Sequence, residues 1–389
     1  MTPVPQAEPL ALVDHHVHGV TTAELDPQAF ESLLTEAGRP AVPPATVFDT
    51  QLGFAVRRWC APMLGLDPEA PAERYLTRRA EVGASEVTRR LLRAAGVRMW
   101  LVDTGYQPEL LGGHLTSPAE LAEASVSPAR QIVRLEAVAE AVARGGTGAG
   151  DFAGSFAEAL AQAIAGDGPD AAGRAVAVKS IVAYRHGLDF DPSRPGPAEV
   201  AAAAGRFLRA VESEPGARLA DPVLLRHLIW TGIDTGLPIQ FHTGFGDPDV
   251  RLHRANPSLL HDFLRVTEPA GTPVMLLHCY PYHREAGYLA NVFAHVYADV
   301  GEALNHVGAR SAAVLAEALE LTPFHKMLYS SDAFGLPELH YLGAVRFRRD
   351  ITRVTGQFVA DGAWSAADAD RVAQMIGSGN AERVYRLAS

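Results

Sequence analysis

Cysteine is scarce in this chain of 389 residues, where Cys60 and Cys279 are the only two. Two cysteines cannot build the disulfide framework of a small secreted protein. The N-terminal segment MTPVPQAEPL also lacks the basic and apolar regions of a secretory signal. We therefore expect a protein of the reducing cytoplasm.

Long apolar runs and net positive charge are absent as well. No stretch of about 18 uninterrupted apolar residues occurs, which excludes a helix that spans a membrane. The 45 acidic residues outnumber the 34 lysines and arginines, and the net charge is −11. Because nucleic-acid binding depends on positive charge that neutralises phosphates, we expect neither a nucleic acid nor a membrane as partner. A small-molecule substrate fits this composition, and the sequence leaves a homo-oligomer open.

Apolar residues, by contrast, make up 48% of the chain, and many occur in short runs that end in polar residues or glycine. These runs predict eight strands, over residues 10–14, 97–103, 131–136, 175–182, 237–243, 273–279, 295–300 and 327–332. Alanine- and leucine-rich segments with helical spacing separate most of them. This repeated order predicts an α/β fold, a (β/α)8 TIM barrel. An open doubly wound sheet is less favoured, because no G-x-G-x-x-G follows a strand.

The first connection, about residues 19–96, is too long for a single crossover helix. We expect a single barrel domain over residues 1–389, with a helical insertion after strand 1. An insertion there emerges at the carboxyl-terminal face of a barrel, where active sites lie. A cap that closes over the site and a stabilising or oligomerising decoration are equally compatible with the sequence.

Four histidines and an aspartate stand at the carboxyl ends of the predicted strands. These residues are His16 and His18 on strand 1, His242 on strand 5, His278 on strand 6 and Asp332 on strand 8. Because the carboxyl ends of barrel strands converge on one mouth, the five side chains can surround a common point. A lone buried histidine would be unremarkable, but this joint placement predicts a metal site.

Lys179 interrupts the apolar run of strand 4, A-V-A-V-K-S-I-V. An unpaired buried ammonium would be costly, so we expect this lysine to be paired, neutralised or chemically modified. An ion pair with Asp332 or Glu136 is one solution. Glu136, at the predicted end of strand 3, is also a candidate to support the metal site from behind its ligands.

Motifs from both ends of the chain carry a family resemblance. They read D-H-H-V-H (14–18), K-S-I-V-A-Y-R-H-G-L (179–188), Q-F-H-T-G-F-G-D (240–247), L-L-H-C-Y-P-Y-H-R-E-A-G-Y-L-A (276–290), S-S-D-A (330–333) and G-N-A-E-R-V-Y-R-L (379–387). Together they resemble the amidohydrolase superfamily, and more narrowly the amidohydrolase-related branch with relatives fused to glutamine-synthetase-like domains. We expect no synthetase domain here, because the barrel and its insertion use the whole length.

The resemblance implies that one or two divalent metal ions are bound by His16, His18, Lys179, His242, His278 and Asp332. It also implies that Lys179 can be carboxylated and bridge two ions, with an unmodified lysine and a single ion as the alternative. Zinc is the expected metal, while manganese, iron and nickel suit the same ligands. Activated water would attack a substrate carbonyl, with Asp332 as the proton carrier and His278 as its catalytic neighbour.

The loops that follow strands 4 and 6 supply the candidate substrate-binding residues, which are Tyr184, Arg185, Tyr280, His283 and Arg284. Arginines at the catalytic face indicate a carboxylate in the substrate, although both could instead pair with Asp189, Glu285 or Asp247. The expected reaction is hydrolysis of a C–N bond, an amide, with γ-glutamyl amides as the first candidates. A metal-dependent decarboxylase or isomerase and a catalytically silent ligand-binding barrel are the alternatives.

Overall fold

A computed structural model describes residues 9–106, 115–166, 173–214 and 216–387. Seven parallel strands follow one another in chain order within one sheet. They are β1 Leu12–Val17, β2 Val97–Asp103, β3 Ala129–Arg134, β4 Ala177–Ser180, β5 Ile239–Thr243, β6 Val274–His278 and β7 Val296–Ala298. Each strand pairs in parallel with the next. For example, Thr243 of β5 lies opposite His278 of β6.

An extended segment of residues 327–335 lies between β7 and β1 and closes the ring. On one side, the backbone N–H of Leu328 donates to the carbonyl of Ala298 in β7. On the other side, His15 of β1 donates to Tyr329, and Asp332 donates to the carbonyl of His16. The segment occupies the position of the predicted eighth strand, although its pairing is too irregular for a regular strand. The predicted TIM-barrel fold is therefore confirmed.

Helices fill the connections between the strands. They are α1 Pro27–Ser32, α2 Gln51–Ala55, α3 Ala72–Val82, α4 Ala84–Ala95, α5 Pro118–Ser125, α6 Leu135–Arg144, α7 Phe152–Ala165, α8 Val182–Arg185, α9 Pro197–Ser213, α10 Pro222–Asp234, α11 His261–Thr267, α12 His283–Val292, α13 Gly301–Val307, α14 Ser311–Ala318, α15 Pro337–Ala360, α16 Ala366–Gln374 and α17 Asn380–Val384. Among the helices of these described ranges, none combines the length and the apolar character that crossing a bilayer requires.

The strands are buried on both sides, which explains why they read as continuous apolar runs. Along β6, Met275 and Leu277 point into the barrel and share a core with Leu101 of β2 and Leu328 of the closing segment. Leu276, between them, points outward into the layer of surrounding helices. This alternation is the two-residue period of a β-strand. One apolar run therefore contributes side chains both to the barrel interior and to the layer between the strands and the helices.

Helices α1 to α4 occupy the predicted insertion, whose aromatic residues pack together within the core that they share with the barrel. The rings of Phe30, Phe48 and Tyr75 lie within 6.4 Å of one another, measured between centroids. The Tyr75 hydroxyl and Arg79 Nε each donate to Glu338 Oε1 of α15 at 2.8 Å. Because Glu338 is fully buried, these bonds tie the insertion to the barrel wall.

Strand 3 ends earlier than the sequence predicted. The strand stops at Arg134, and Glu136 lies in the first turn of α6. Its Oε1 accepts hydrogen bonds from Ser180 Oγ at 2.7 Å and from the backbone N–H of Ile181 at 3.0 Å. Glu136 therefore holds the residues that follow Lys179 at the end of β4. The helical periodicity of residues 135–144 begins inside the apolar run, so the run could not mark this boundary.

Candidate metal centre

The carboxyl ends of β1, β6 and the closing segment bring three of the predicted metal ligands together. Donor atoms of His16, His278 and Asp332 all lie within 4.8 Å of one another. Asp332 Oδ1 is 3.1 Å from His16 Nε2 and 3.5 Å from His18 Nε2, and its Oδ2 is 3.3 Å from His278 Nε2. His278 and Asp332 have positive φ angles of 68° and 50°. Such uncommon backbone angles at two of these residues are typical of a functional site.

His242 of β5 joins this group through its ring. Its ring centroid lies 4.7 Å from that of His278 and 4.4 Å from that of Tyr184. His242 Nε2 and both ring nitrogens of His278 are buried and have no hydrogen-bond partner among the described residues. Buried polar atoms of this kind are normally satisfied, so unpaired imidazole nitrogens beside a carboxylate fit the binding of a metal ion.

Burial also sets the protonation of these imidazoles. Desolvation, followed by the charge of Lys179, lowers the pKa of His16 to about 3. Desolvation likewise lowers the pKa of His278 and of His242. Burial raises the pKa of Asp332, but its interactions with His278, His16 and His18 outweigh burial and hold that pKa well below its usual range. Neutral imidazoles and an ionised carboxylate are the forms that bind a metal.

Lys179 lies beside this group but has other partners than the sequence suggested. No ion pair joins it to Asp332 or Glu136 in the described ranges. Its Nζ lies 2.8 Å from His16 Nε2 and 3.9 Å from Asp103 Oδ2. Desolvation lowers the pKa of Lys179, which favours the neutral amine. A neutral lysine amine is the form that can add carbon dioxide.

Asp103 is a residue that the sequence analysis missed. It is the last residue of β2, and one of its oxygens lies within 4.8 Å of donor nitrogens of His16 and His18. Arg134 holds its Oδ2 with two hydrogen bonds, at 2.6 and 3.1 Å. A signal was available, because Asp103 ends an apolar strand in the same way as the predicted ligands.

A second set of buried polar residues orients the ligands from behind. His16 Nδ1 lies 2.8 Å from Gln240 Oε1, and Gln240 Nε2 donates to the Tyr385 hydroxyl at 2.8 Å. The carboxylate of Asp299 accepts the backbone N–H of His278 at 2.8 Å and pairs with His15 Nε2 at 2.8 Å. Such partners fix the tautomer and orientation of metal-binding histidines. None of these four was singled out in the sequence, because a polar residue inside a barrel core has no distinctive local pattern.

A cavity of about 880 Å³ opens above the cluster. Its walls include His18, Lys179, His242 and Asp332, together with the predicted substrate-binding residues Tyr184 and Arg185. Arg185 Nη2 donates to Glu140 Oε1 at 3.2 Å, whereas its buried Nε has no partner among the described residues. The cavity therefore combines a candidate metal group with the guanidinium of Arg185.

Three other predicted substrate-binding residues are not brought to this cavity. The loop after β6 turns into α12 at His283, whose Nε2 lies 2.9 Å from Glu317. Arg284 is exposed, and its Nε donates to Glu320 at 2.8 Å. Tyr280 stacks on His283 with ring centroids 5.8 Å apart. All three side chains make their contacts on the flank of the barrel. Among the described residues, neither Arg185 nor Arg284 pairs with the partners expected from the sequence.

The donor set fits a divalent metal ion. Several neutral imidazoles and at least one carboxylate converge from different strands, as zinc and related metals require. Two overlapping groups of donors share His16, one with His278 and Asp332 and the other with His18 and Asp103. These groups are compatible with either one or two ions.

Comparisons with known proteins identify the family and the fold of this chain. A family model described as amidohydrolase matches residues 13–387. The protein fluG of Emericella nidulans is 33% identical over 224 residues, which are 54% of this chain and 26% of fluG, so the match spans about a quarter of that longer relative. A proposed metal-dependent hydrolase of Lactobacillus casei has a similar structure, with a TM-score of 0.81 and 27% identity over 97% of this chain and 95% of that one. A uronate isomerase of Bacillus halodurans has a TM-score of 0.64 and 13% identity over 97% and 94% of the two chains, a similarity of fold alone.

Proposed function

This chain belongs to the amidohydrolase family, and we propose that it is a metal-dependent hydrolase that cleaves the C–N bond of an amide in a small, carboxylate-bearing molecule. The observation that carries the proposal is the group formed by His16, His278 and Asp332 beneath an open cavity. Unpaired buried nitrogens there require a partner that the described residues do not supply. A metal-dependent relative of similar structure supports the same reading.

The proposed ligands are His16, His18, Lys179, His242, His278 and Asp332, with Asp103 added by the structure. Zinc is the proposed metal, as one ion or as two with a carboxylated Lys179. When bound, a divalent ion supplies Lewis acidity that polarises a carbonyl and makes water a stronger acid.

Asp332 is the proposed proton carrier. Its carboxylate is ionised, lies between three imidazoles and faces the cavity, so it can accept a proton from the attacking water. The same carboxyl group can then return that proton to the leaving nitrogen as the C–N bond breaks. The products are a carboxylic acid and an amine. His278 is the proposed catalytic neighbour of Asp332, because its Nε2 lies 3.3 Å from Asp332 Oδ2 and its backbone N–H is held by Asp299.

Arg185 is the proposed substrate clamp. Arg185 lines the cavity together with Tyr184, so its guanidinium can donate to a substrate carboxylate while Nη2 stays bonded to Glu140. A charge-assisted hydrogen bond of this kind is among the stronger ones in proteins. Arg284 is not part of the proposed clamp, because it pairs with Glu320 outside the cavity.

The test is a substrate panel on protein purified without chelators, beginning with γ-glutamyl amides and extending to other carboxylate-bearing amides. We expect released amine in equal amount to new carboxylate, and we expect Asp332→Asn to lower kcat strongly while substrate binding changes little. The matched control is Asp234→Asn, because Asp234 is an exposed aspartate that pairs with Arg194. Release of carbon dioxide, an isomerised product, or no turnover with zinc, manganese or iron would contradict the proposal.

A further inference from the structure

A second group of metal-type donors lies outside the proposed centre. It consists of Glu36, Glu302 and His306, whose donor atoms all lie within 4.8 Å of one another. Glu302 and His306 are four residues apart on α13 and so share one face of that helix. Glu36 comes from the insertion, between α1 and α2. The group shares no residue with the cluster of His16, His278 and Asp332.

Glu302 is the residue that makes this group unusual. It is 5% exposed, and its buried Oε2 has no hydrogen-bond partner among the described residues. Burial raises the pKa of Glu302 well above its usual range, and the negative charge of Glu36 raises it further. A buried carboxylate without a cation or a donor is costly, and a second carboxylate beside it adds repulsion. The arrangement is stabilised if a cation lies between the two.

His306 supplies the third donor and points to the kind of cation. Its Nε2 lies 3.5 Å from Glu36 Oε1, and its ring packs edge-on against Phe245 with centroids 5.2 Å apart. Two carboxylates and an imidazole at this spacing match the ligands of zinc, manganese or iron.

We propose that Glu36, Glu302 and His306 form a second divalent-cation site in the wall of the substrate cavity. Glu36 and Glu302 both line that cavity, so an ion there would face the substrate. The ion would also join the insertion to α13, because its ligands come from both. This gives the insertion a specific role at the catalytic face. The proposal does not depend on which reaction the chain catalyses.

The first test counts ions. Full-length protein is stripped with a chelator, loaded with Mn²⁺, passed through a desalting column and analysed for metal per chain. We expect Glu302→Gln and His306→Ala each to bind about one ion fewer than the wild type. His278→Ala should lose ions of the first centre and keep this one. Glu212→Gln and His253→Ala change exposed residues of the same types and should bind as many ions as the wild type.

The circular dichroism spectrum and the Tm of each chelated variant verify that it is folded. If His306→Ala does not fold, His306→Gln serves as a milder change. In a folded series, Mn²⁺ should raise the Tm of the wild type more than that of Glu302→Gln, because the ion crosslinks two elements. Equal ion counts in the wild type and Glu302→Gln would overturn the proposal. So would a change confined to the KM of amine-bearing substrates, which would identify a substrate ammonium as the occupant. Failure to hydrolyse amides would leave the ion count unaffected, so the two proposals fail separately.

Discussion

Replacing Asp299 by Asn should weaken metal binding at the first centre although Asp299 is no predicted ligand. Asp299 is fully buried behind His278. Its Oδ1 accepts the backbone N–H groups of His278 at 2.8 Å and Gly301 at 2.9 Å, and its Oδ2 lies 2.8 Å from His15 Nε2. Burial raises the pKa of Asp299, but the hydrogen bond and charge of His15 outweigh it and lower that pKa to about 2. Asp299 is therefore an anion at neutral pH.

The magnitude follows from the bonds that the amide can keep. An Asn side chain retains one carbonyl oxygen, which can still accept from His278 and Gly301. The second oxygen is replaced by an amide NH2 group, which cannot accept a hydrogen bond from His15. One charge-assisted hydrogen bond is therefore lost, at a cost of about 1.5–3 kcal/mol. At about 1.4 kcal/mol per tenfold change, this corresponds to a roughly 10- to 100-fold weaker metal affinity if the loss falls on the bound state. Substitution of residues that orient metal ligands typically has an effect of this size.

The assay is the zinc dissociation constant measured by competition with a chromogenic chelator. The control is Asp234→Asn, which also removes one carboxylate charge but lies at the end of α10, just before β5 begins and so at the opposite end of the barrel. We expect the control to bind zinc as the wild type does. An Asp299→Asn protein that folds normally and binds zinc within about twofold of the wild type would refute the reasoning.

Three further predictions concern the clamp, a buried carboxyl group and the insertion. Arg185→Met should raise the KM for a carboxylate substrate about tenfold or more with little change in kcat, because a charge-assisted bond of about 1.5–3 kcal/mol is lost. Burial raises the pKa of Glu136 to about 7 from 4.5. Relative to Glu136→Gln, wild-type stability should therefore be full below pH 4.5 and fall as pH rises toward 7, by about 3 kcal/mol in urea unfolding. Arg79→Met should cost about 3–5 kcal/mol in the same assay, because Glu338 stays buried without its cation.

Each of the three has its own contrary result, and Arg79→Met also has a control variant. An unchanged KM in Arg185→Met would assign that arginine to Glu140 alone. Parallel pH profiles for the wild type and Glu136→Gln would show that Glu136 titrates normally. Arg90→Met removes an exposed arginine of α4 paired with Glu86 and should cost less than about 1 kcal/mol. A similar small cost for Arg79→Met would mean that its pair does not tie the insertion to α15.

The strand positions were predictable because burial on both faces leaves a strong local signal. All seven strands overlap predicted apolar runs, and the eighth run coincides with the segment that closes the ring. Strand ends were less predictable. Glu136 belongs to a helix that begins immediately after Arg134, and no break in hydrophobicity separates the two elements.

The centre itself was predictable to the extent that its residues end strands. His16, His278 and Asp332 were named from their places in the sequence, and the barrel brings them within reach of one ion. Lys179 was recognised as anomalous, but its partners Asp103 and His16 were not identified. Loop residues were predicted least well, because the direction of a loop depends on what it packs against. Arg284 was expected at the cavity, yet Glu320 of a distant segment holds it on the flank.

Local periodicity and the chemistry of strand ends thus indicate the barrel, its metal-type residues and a role for Lys179, since these depend on neighbours along the chain. Contacts between residues far apart in sequence decide the rest. Asp299, which follows the end of β7, supports His278 of β6. Glu36 of the insertion lies beside Glu302, 266 positions away, in the wall of the cavity. Such contacts depend on how whole elements pack, and a single sequence carries no local mark of them.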